Sequence, residues 1–157
     1  MKKTDWSSYY SKPSKVAGLT RRITEKILIK QLKKYFEVNA TFHIQEMGGA
    51  NSCFLKGITK KFPKSHYCII DNCKTGLGLS KDQFGLMKHV TIQELNILKS
   101  SKFNKSEVVL STGLIEHFNK SDTSLMIKKH FQAAKSSGLV IITYPTPTLL
   151  YKATRKI

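Results

Sequence analysis

From Leu19 onward, the apolar residues Ile23, Ile27, Leu28, Leu32, Tyr35 and Phe36 recur at three- and four-residue intervals. That spacing lines one face of a helix, with Thr20 or Thr24 near its start. Ahead of it, residues 1–15 are polar and mixed (Trp6, Tyr9, Tyr10, Pro13) and show no clear period. Thr41 to Glu46 alternates and then meets Gly48-Gly49, which predicts a strand ending in a turn. Cys53, Phe54, Ile58 and Phe62 return to helical spacing, and Pro63 stops that helix. His66 to Asp71 reads as a short strand with an acidic end, followed by a partly helical, Gly-containing stretch over 75–87. Val90–Glu94 and Glu107–Ser111 are a third and a fourth strand. A helix starting at Ser121 or Asp122 then runs through Leu125, Met126, Ile127, Phe131 and Ala134 and is closed by Gly138. Leu139 to Thr143 is apolar without alternation, as expected of a strand buried on both faces.

Strands that alternate with helices in this way imply the α/β class: a parallel sheet, helices on both faces and right-handed crossovers. The expected organisation is a basic helical segment over 1–38 followed by one α/β domain over 39–157. No internal repeat interrupts it.

Composition narrows the class. The chain has 157 residues, 27 Lys+Arg against 10 Asp+Glu and a formal charge of +17. A content of 40% hydrophobic and 10% aromatic residues excludes a disordered basic tail. No apolar run approaches the roughly 18–20 residues that span a bilayer. The basic start lacks an apolar signal segment, and three cysteines without CxxC point to a reducing, cytoplasmic setting. The charge suggests nucleic acid or an anionic substrate, yet only Arg21, Arg22 and Arg155 are arginines. Dispersed lysines read as a solvated surface, since recognition of phosphate and guanine favours the Arg fork. The concentrated part is residues 1–36, where ten basic residues face two acidic ones.

In an open α/β sheet, ligands bind beyond the carboxyl ends of the strands. After the first strand comes Glu46-Met47-Gly48-Gly49-Ala50-Asn51-Ser52, a turn tight enough for the backbone to approach a ligand. Nineteen residues beyond Ser52, Asp71 ends the second strand, where a carboxylate can accept both hydroxyls of a ribose. Together these turns form a nucleoside half-site suited to a dinucleotide or to S-adenosylmethionine.

At this point the sequence resembles the class I S-adenosylmethionine-dependent methyltransferases, within them the broad type 11/12 group. Glu46-Met47-Gly48-Gly49 is similar to the family's first motif, and Asp71 to the acidic end of its second strand. Asn96-Ile97-Leu98 falls where the family meets the adenine. The stretch from Val108 to Phe118 resembles the family's S-x-G-x-x-E-H turn through Ser111, Gly113, Glu116 and His117. The resemblance covers roughly residues 40–150 and implies a Rossmann-like sheet of strand order 3-2-1-4-5. It implies S-adenosylmethionine as cofactor, with Glu46, Gly48 and Gly49 by the methionine moiety and Asp71 at the ribose. Asn96 and Ile97 then frame the adenine, and Ser111 and Gly113 line the far side. His117 is the candidate general base, with Glu116 beside it, and Tyr9 and Tyr10 are candidates for an N-terminal lid. The substrate class it implies is a small molecule or a sugar or glycan, an anionic one being suited to the charge.

Ala50 and Ser52 stand where the family has glycines, and Asn96 where it has an acid. The family fold also continues through another helix and two more strands. The expectation is therefore a chain truncated at its C-terminal side, or a partner or second copy covering the edge of the fifth strand. Two other function classes stay open: a non-catalytic basic module that binds nucleic acid or a protein partner, and an NAD(P)-dependent oxidoreductase. The latter requires G-x-G-x-x-G, and Ala50 and Cys53 occupy its second and third glycine positions. No metal site is expected, because the cysteines and histidines lack ligand spacing.

Overall fold

The computed structural model describes residues 5–11 and 17–145. Strands β1 (His43–Met47), β2 (His66–Asp71), β3 (Val90–Glu94), β4 (Ser106–Thr112) and β5 (Ala134–Thr143) form one sheet in the order β3-β2-β1-β4-β5. All four pairings are parallel. Helices α1 (Trp6–Ser11) and α2 (Ala17–Leu32) precede the sheet, and α3 (Leu55–Lys61), α4 (Lys74–Phe84) and α5 (Lys120–Ala133) follow β1, β2 and β4. The chain moves outward from β1 to β3 and then returns to the other side of β1 for β4. The switch point, and the crevice it opens, therefore lies beyond the carboxyl ends of β1 and β4.

Apolar side chains fill both sides of the sheet. Leu28, Leu32, Leu55, Ile58, Phe62, Leu77 and Phe84 pack with Ile44, Tyr67, Ile69 and Val108 on one face. Met126, Ala133 and Ile97 pack with Met47, Ile70 and Val109 on the other. A central strand covered on both faces is buried whatever its alternation, so Gln45 and Glu46 are only 3% and 2% exposed. Gln45 Nε2 donates to Ser106 Oγ at 2.8 Å and to the Asn104 carbonyl, while its Oε1 is buried without a hydrogen-bond partner.

The strands β2 and β3 begin and end where the pattern predicts. Four expectations are corrected. In α2, Leu28 and Leu32 are buried, but Ile23 and Ile27 are 52% and 50% exposed, so only the C-terminal half of the stripe docks. The N-cap of α5 is Asn119, whose Oδ1 accepts from the Asp122 amide at 2.8 Å, earlier than Ser121 or Asp122. Gly138 does not close α5, which ends at Ala133. It sits inside β5, where the register with β4 jumps from Ser106↔Ala134 to Val108↔Leu139. A Cβ there would lie 3.0 Å from the backbone N and O of Lys135 and 3.1 Å from the Ser106 carbonyl oxygen, so the bulge is tight and a larger residue would have to shift its backbone. Finally, Leu139 to Thr143 are partly exposed, because β5 stands at the sheet edge with β4 as its strand neighbour.

Among the described residues, no helix is long and apolar enough to cross a membrane. The side chain of Tyr9 and residues 146–157 lie outside the described residues.

Candidate active site

The turn after β1 is built by two glycines with separate reasons. Gly48 has φ +71°, a left-handed conformation, and a Cβ on it would fall 2.5 Å from Leu114 Cδ1. Its amide donates to the Ile70 carbonyl at 2.8 Å, which ties the turn to β2. Gly49 leaves room for Glu46, whose Cδ would lie 2.7 Å from a Cβ at that position. Glu46 is folded inward beneath the turn, where Tyr67 Oη donates to its Oε2 at 2.9 Å. Burial pushes the Glu46 carboxyl up to about 7, the Ser52 and Tyr67 hydroxyls act the other way, and the nearby Asp71 charge adds to the rise.

Asp71 links the first two turns. Its Oδ2 accepts from the Ala50 amide at 3.2 Å and its Oδ1 from the Cys73 amide at 2.8 Å. Burial raises the Asp71 carboxyl, and these backbone donors oppose the rise. Each carboxylate oxygen keeps a further lone pair, so the position can still accept from a ligand. Asn96 follows β3 and is engaged locally, its Oδ1 accepting from the Lys99 amide at 3.2 Å. Ile97 beside it is 6% exposed and belongs to the core.

Ser111 lies in β4, one residue before its end. Its side chain is fully buried and turned toward α5, with Oγ 2.8 Å from His130 Nε2. His130 Nδ1 lies 2.8 Å from the Met126 carbonyl, which can only accept. Nδ1 therefore carries the proton, and Nε2 accepts from the serine. Burial lowers the His130 pKa, in keeping with a neutral ring. Ser111 can thus face the crevice only through its main chain. Gly113 has φ +66°, donates its amide to the Thr143 carbonyl at 2.9 Å, and leaves open the space beside Glu116 Oε1.

Glu116 and His117 lie in a short 3-10 turn, Ile115–His117, at the end of β4. Glu116 Oε1 is 3.9 Å from His117 Nε2, and both side chains are about a quarter exposed (24% and 23%). The ring of Trp6 meets the His117 ring edge to face, with centroids 4.6 Å apart. One turn further along α1, Tyr10 lies against Gly76 at the start of α4. Helix α1 thereby bridges the mouth of the crevice from the β2–α4 side to the turn after β4.

Two contributors escaped the sequence reading. Tyr67 carried a signal, since a tyrosine in a buried strand needs a partner for its hydroxyl. Trp6 carried none, because residues 1–15 lack a period. Among the described residues no cluster suited to a metal ion occurs.

This strand order and crevice define the fold of the class I S-adenosylmethionine-dependent methyltransferases. The N-methyltransferase NodS from Bradyrhizobium japonicum WM9, solved with S-adenosyl-L-homocysteine, superposes with TM-score 0.64 at 15% identity over 76% of this chain and 60% of that one. Coclaurine N-methyltransferase, solved with N-methylheliamine and S-adenosyl-L-homocysteine, gives TM-score 0.65 at 11% identity over 76% of this chain and 34% of that one. The methyltransferase SibL in its apo form gives TM-score 0.69 at 15% identity, covering 86% of this chain and 40% of that one. The chain thus spans about a third to three fifths of the length of these structures. No family model matches the sequence, and comparison with curated proteins gives no match.

Proposed function

We propose that the chain binds S-adenosylmethionine and transfers its methyl group to a small-molecule or sugar-type substrate, anionic groups on which the basic surface would favour. The observation that carries this reading is the convergence of the Gly48 turn, Asp71 and the Glu116-His117 turn on the crevice between β1 and β4. The residues fit the cofactor. Gly48 and Gly49 keep the turn free of side chains, Asp71 has lone pairs to spare for the ribose hydroxyls, and Glu46 offers negative charge toward the methionine end. Asn96 and Ile97 lie where the adenine would rest, and Gly113 borders the opposite wall.

The bound cofactor supplies an electrophilic methyl group on a sulfonium. The chain's task is then alignment, exclusion of water and removal of one proton. His117 is of the right type to accept that proton, and Trp6 shields it from one side. Helix α1 would act as a cover over the mouth of the crevice, and a second copy or another chain could pair with the free edge of β5. Work in the cytoplasm fits the three unpaired cysteines. None of the structures compared above is an oxidoreductase or a nucleic-acid module, so those alternatives gain no support.

Calorimetry with S-adenosylhomocysteine tests the reading. Wild type should bind, and Asp71→Ala should bind at least about tenfold more weakly, equivalent to about 1.4 kcal/mol. Equal binding by both proteins, or a preference for NAD or NADP in a thermal-shift panel, would defeat it.

A further inference from the structure

We propose that the nucleophile methylated at this site is an amine, which binds as its cation against Glu116 and is deprotonated by His117. The inference rests on the methyl-transfer reading above. Its first support is Glu116 itself. Oε2 is shut off from solvent and has no hydrogen-bond partner, while Oε1 is 3.9 Å from His117 Nε2, beyond hydrogen-bond reach. A carboxylate oxygen in that position is costly until a donor arrives. An ammonium brings three donors and the opposite charge, whereas a neutral hydroxyl brings one donor and none.

The second support is the local sign of charge. The chain carries +17 overall and has ten acidic residues. Glu46, Asp71 and Glu94 lie at the carboxyl ends of β1, β2 and β3, and Glu116 lies just after β4, so each of these four strands delivers one acid to the same end of the sheet. Of these, Glu94 has a lysine, Lys74, at 3.8 Å, and both are well exposed. Among the described residues, neither Glu46 nor Asp71 has a Lys or Arg within ion-pair distance. This end of the sheet thus gathers four of the ten acidic residues of a positive protein, a local concentration that favours a cationic group over a neutral one.

The chemistry balances. An ammonium has no lone pair, so His117 takes one proton and frees the pair on nitrogen. The new N–C bond forms as the methyl–sulfur bond breaks, and the bonding electrons stay on sulfur, leaving a neutral thioether. Nitrogen is then cationic again, and Glu116 faces positive charge both before and after the transfer. The proton on His117 leaves to solvent.

The test is calorimetry on the full chain saturated with S-adenosylhomocysteine, using matched probes: phenethylamine against 2-phenylethanol, and glucosamine against glucose. At least one amine should bind tenfold or more tighter than its alcohol, and Glu116→Gln should cut that preference below threefold. Alcohols that bind as well as their amines, no amine binding at all, or a preference that survives Glu116→Gln would each overturn the proposal. If the variant fails to fold, the wild-type comparison of amine with alcohol decides alone. If wild type does not bind S-adenosylhomocysteine, the methyl-transfer reading fails and this proposal falls with it. Cofactor binding without amine preference removes this proposal only.

Discussion

The two ends of the sheet treat charge in opposite ways. At the amino end, His43 and His66 begin neighbouring strands and stack with centroids 4.9 Å apart, and His89 meets His66 at the same distance. Glu107 there accepts from the His43 amide at 2.8 Å and pairs with Lys135. Burial acts to raise its carboxyl, but donation from Lys135 and His43 outweighs this and brings it down to about 2. At the carboxyl end, Glu46 meets neutral hydroxyls, and its carboxyl is pushed up to about 7. The same residue type is neutralised by the chain at one end and left for something else at the other. Polar groups that a fold completes by itself hold it together, whereas groups left incomplete are where a ligand is expected.

The largest effect that would test this contrast is expected at Gly48. Gly48→Ala must hold a left-handed conformation, at roughly 1–2 kcal/mol, and must also displace Leu114. A total loss of about 2–4 kcal/mol in urea unfolding is expected, together with loss of S-adenosylhomocysteine binding. A loss below about 1 kcal/mol would mean that the turn is not tightly built.

Glu46→Gln should separate stability from binding. The folded-state value of about 7 lies above the ordinary 4.5, so folding is favoured while the group is protonated. That contribution is whole below 4.5 and is lost as pH rises through about 7. Glutamine removes the loss. The variant should therefore match wild type near pH 4.5 and be more stable by about 1–3 kcal/mol at pH 8, read from thermal unfolding. It should also bind S-adenosylmethionine more weakly at pH 8, where wild-type Glu46 is ionised. A variant less stable than wild type at pH 8 would show that Glu46 serves the fold in the same way as Glu107.

The smallest effect belongs to the amino end. His66→Ala should change stability by no more than about 0.5 kcal/mol and leave S-adenosylhomocysteine affinity unchanged. A tenfold loss of affinity would erase the distinction between the two ends.

Local pattern carried much of the fold, and the rest depended on neighbours distant in sequence. His66–Asp71 and Val90–Glu94 were readable because turn residues bound them and their apolar content is dense. Gly138 was not, since the backbone that crowds it, Lys135 and the Ser106 carbonyl across the β4–β5 bulge, is brought together only by the fold. Ile23 and Ile27 fit a helical stripe perfectly well, yet nothing in that stripe says how much of it will be covered. At the site, residue types and the order of the turns were legible, but side-chain directions were not. Ser111 illustrates this: its hydroxyl turns to His130 because α5 brings an acceptor 19 residues away in the chain.

The contact between Trp6 and His117 has a practical side. The chain contains one tryptophan, and it stands at the mouth of the crevice against His117. Its emission therefore comes from that spot and no other. The protein carries its own optical reporter, able to signal in real time, without a label, when the cover formed by α1 shifts as a ligand enters.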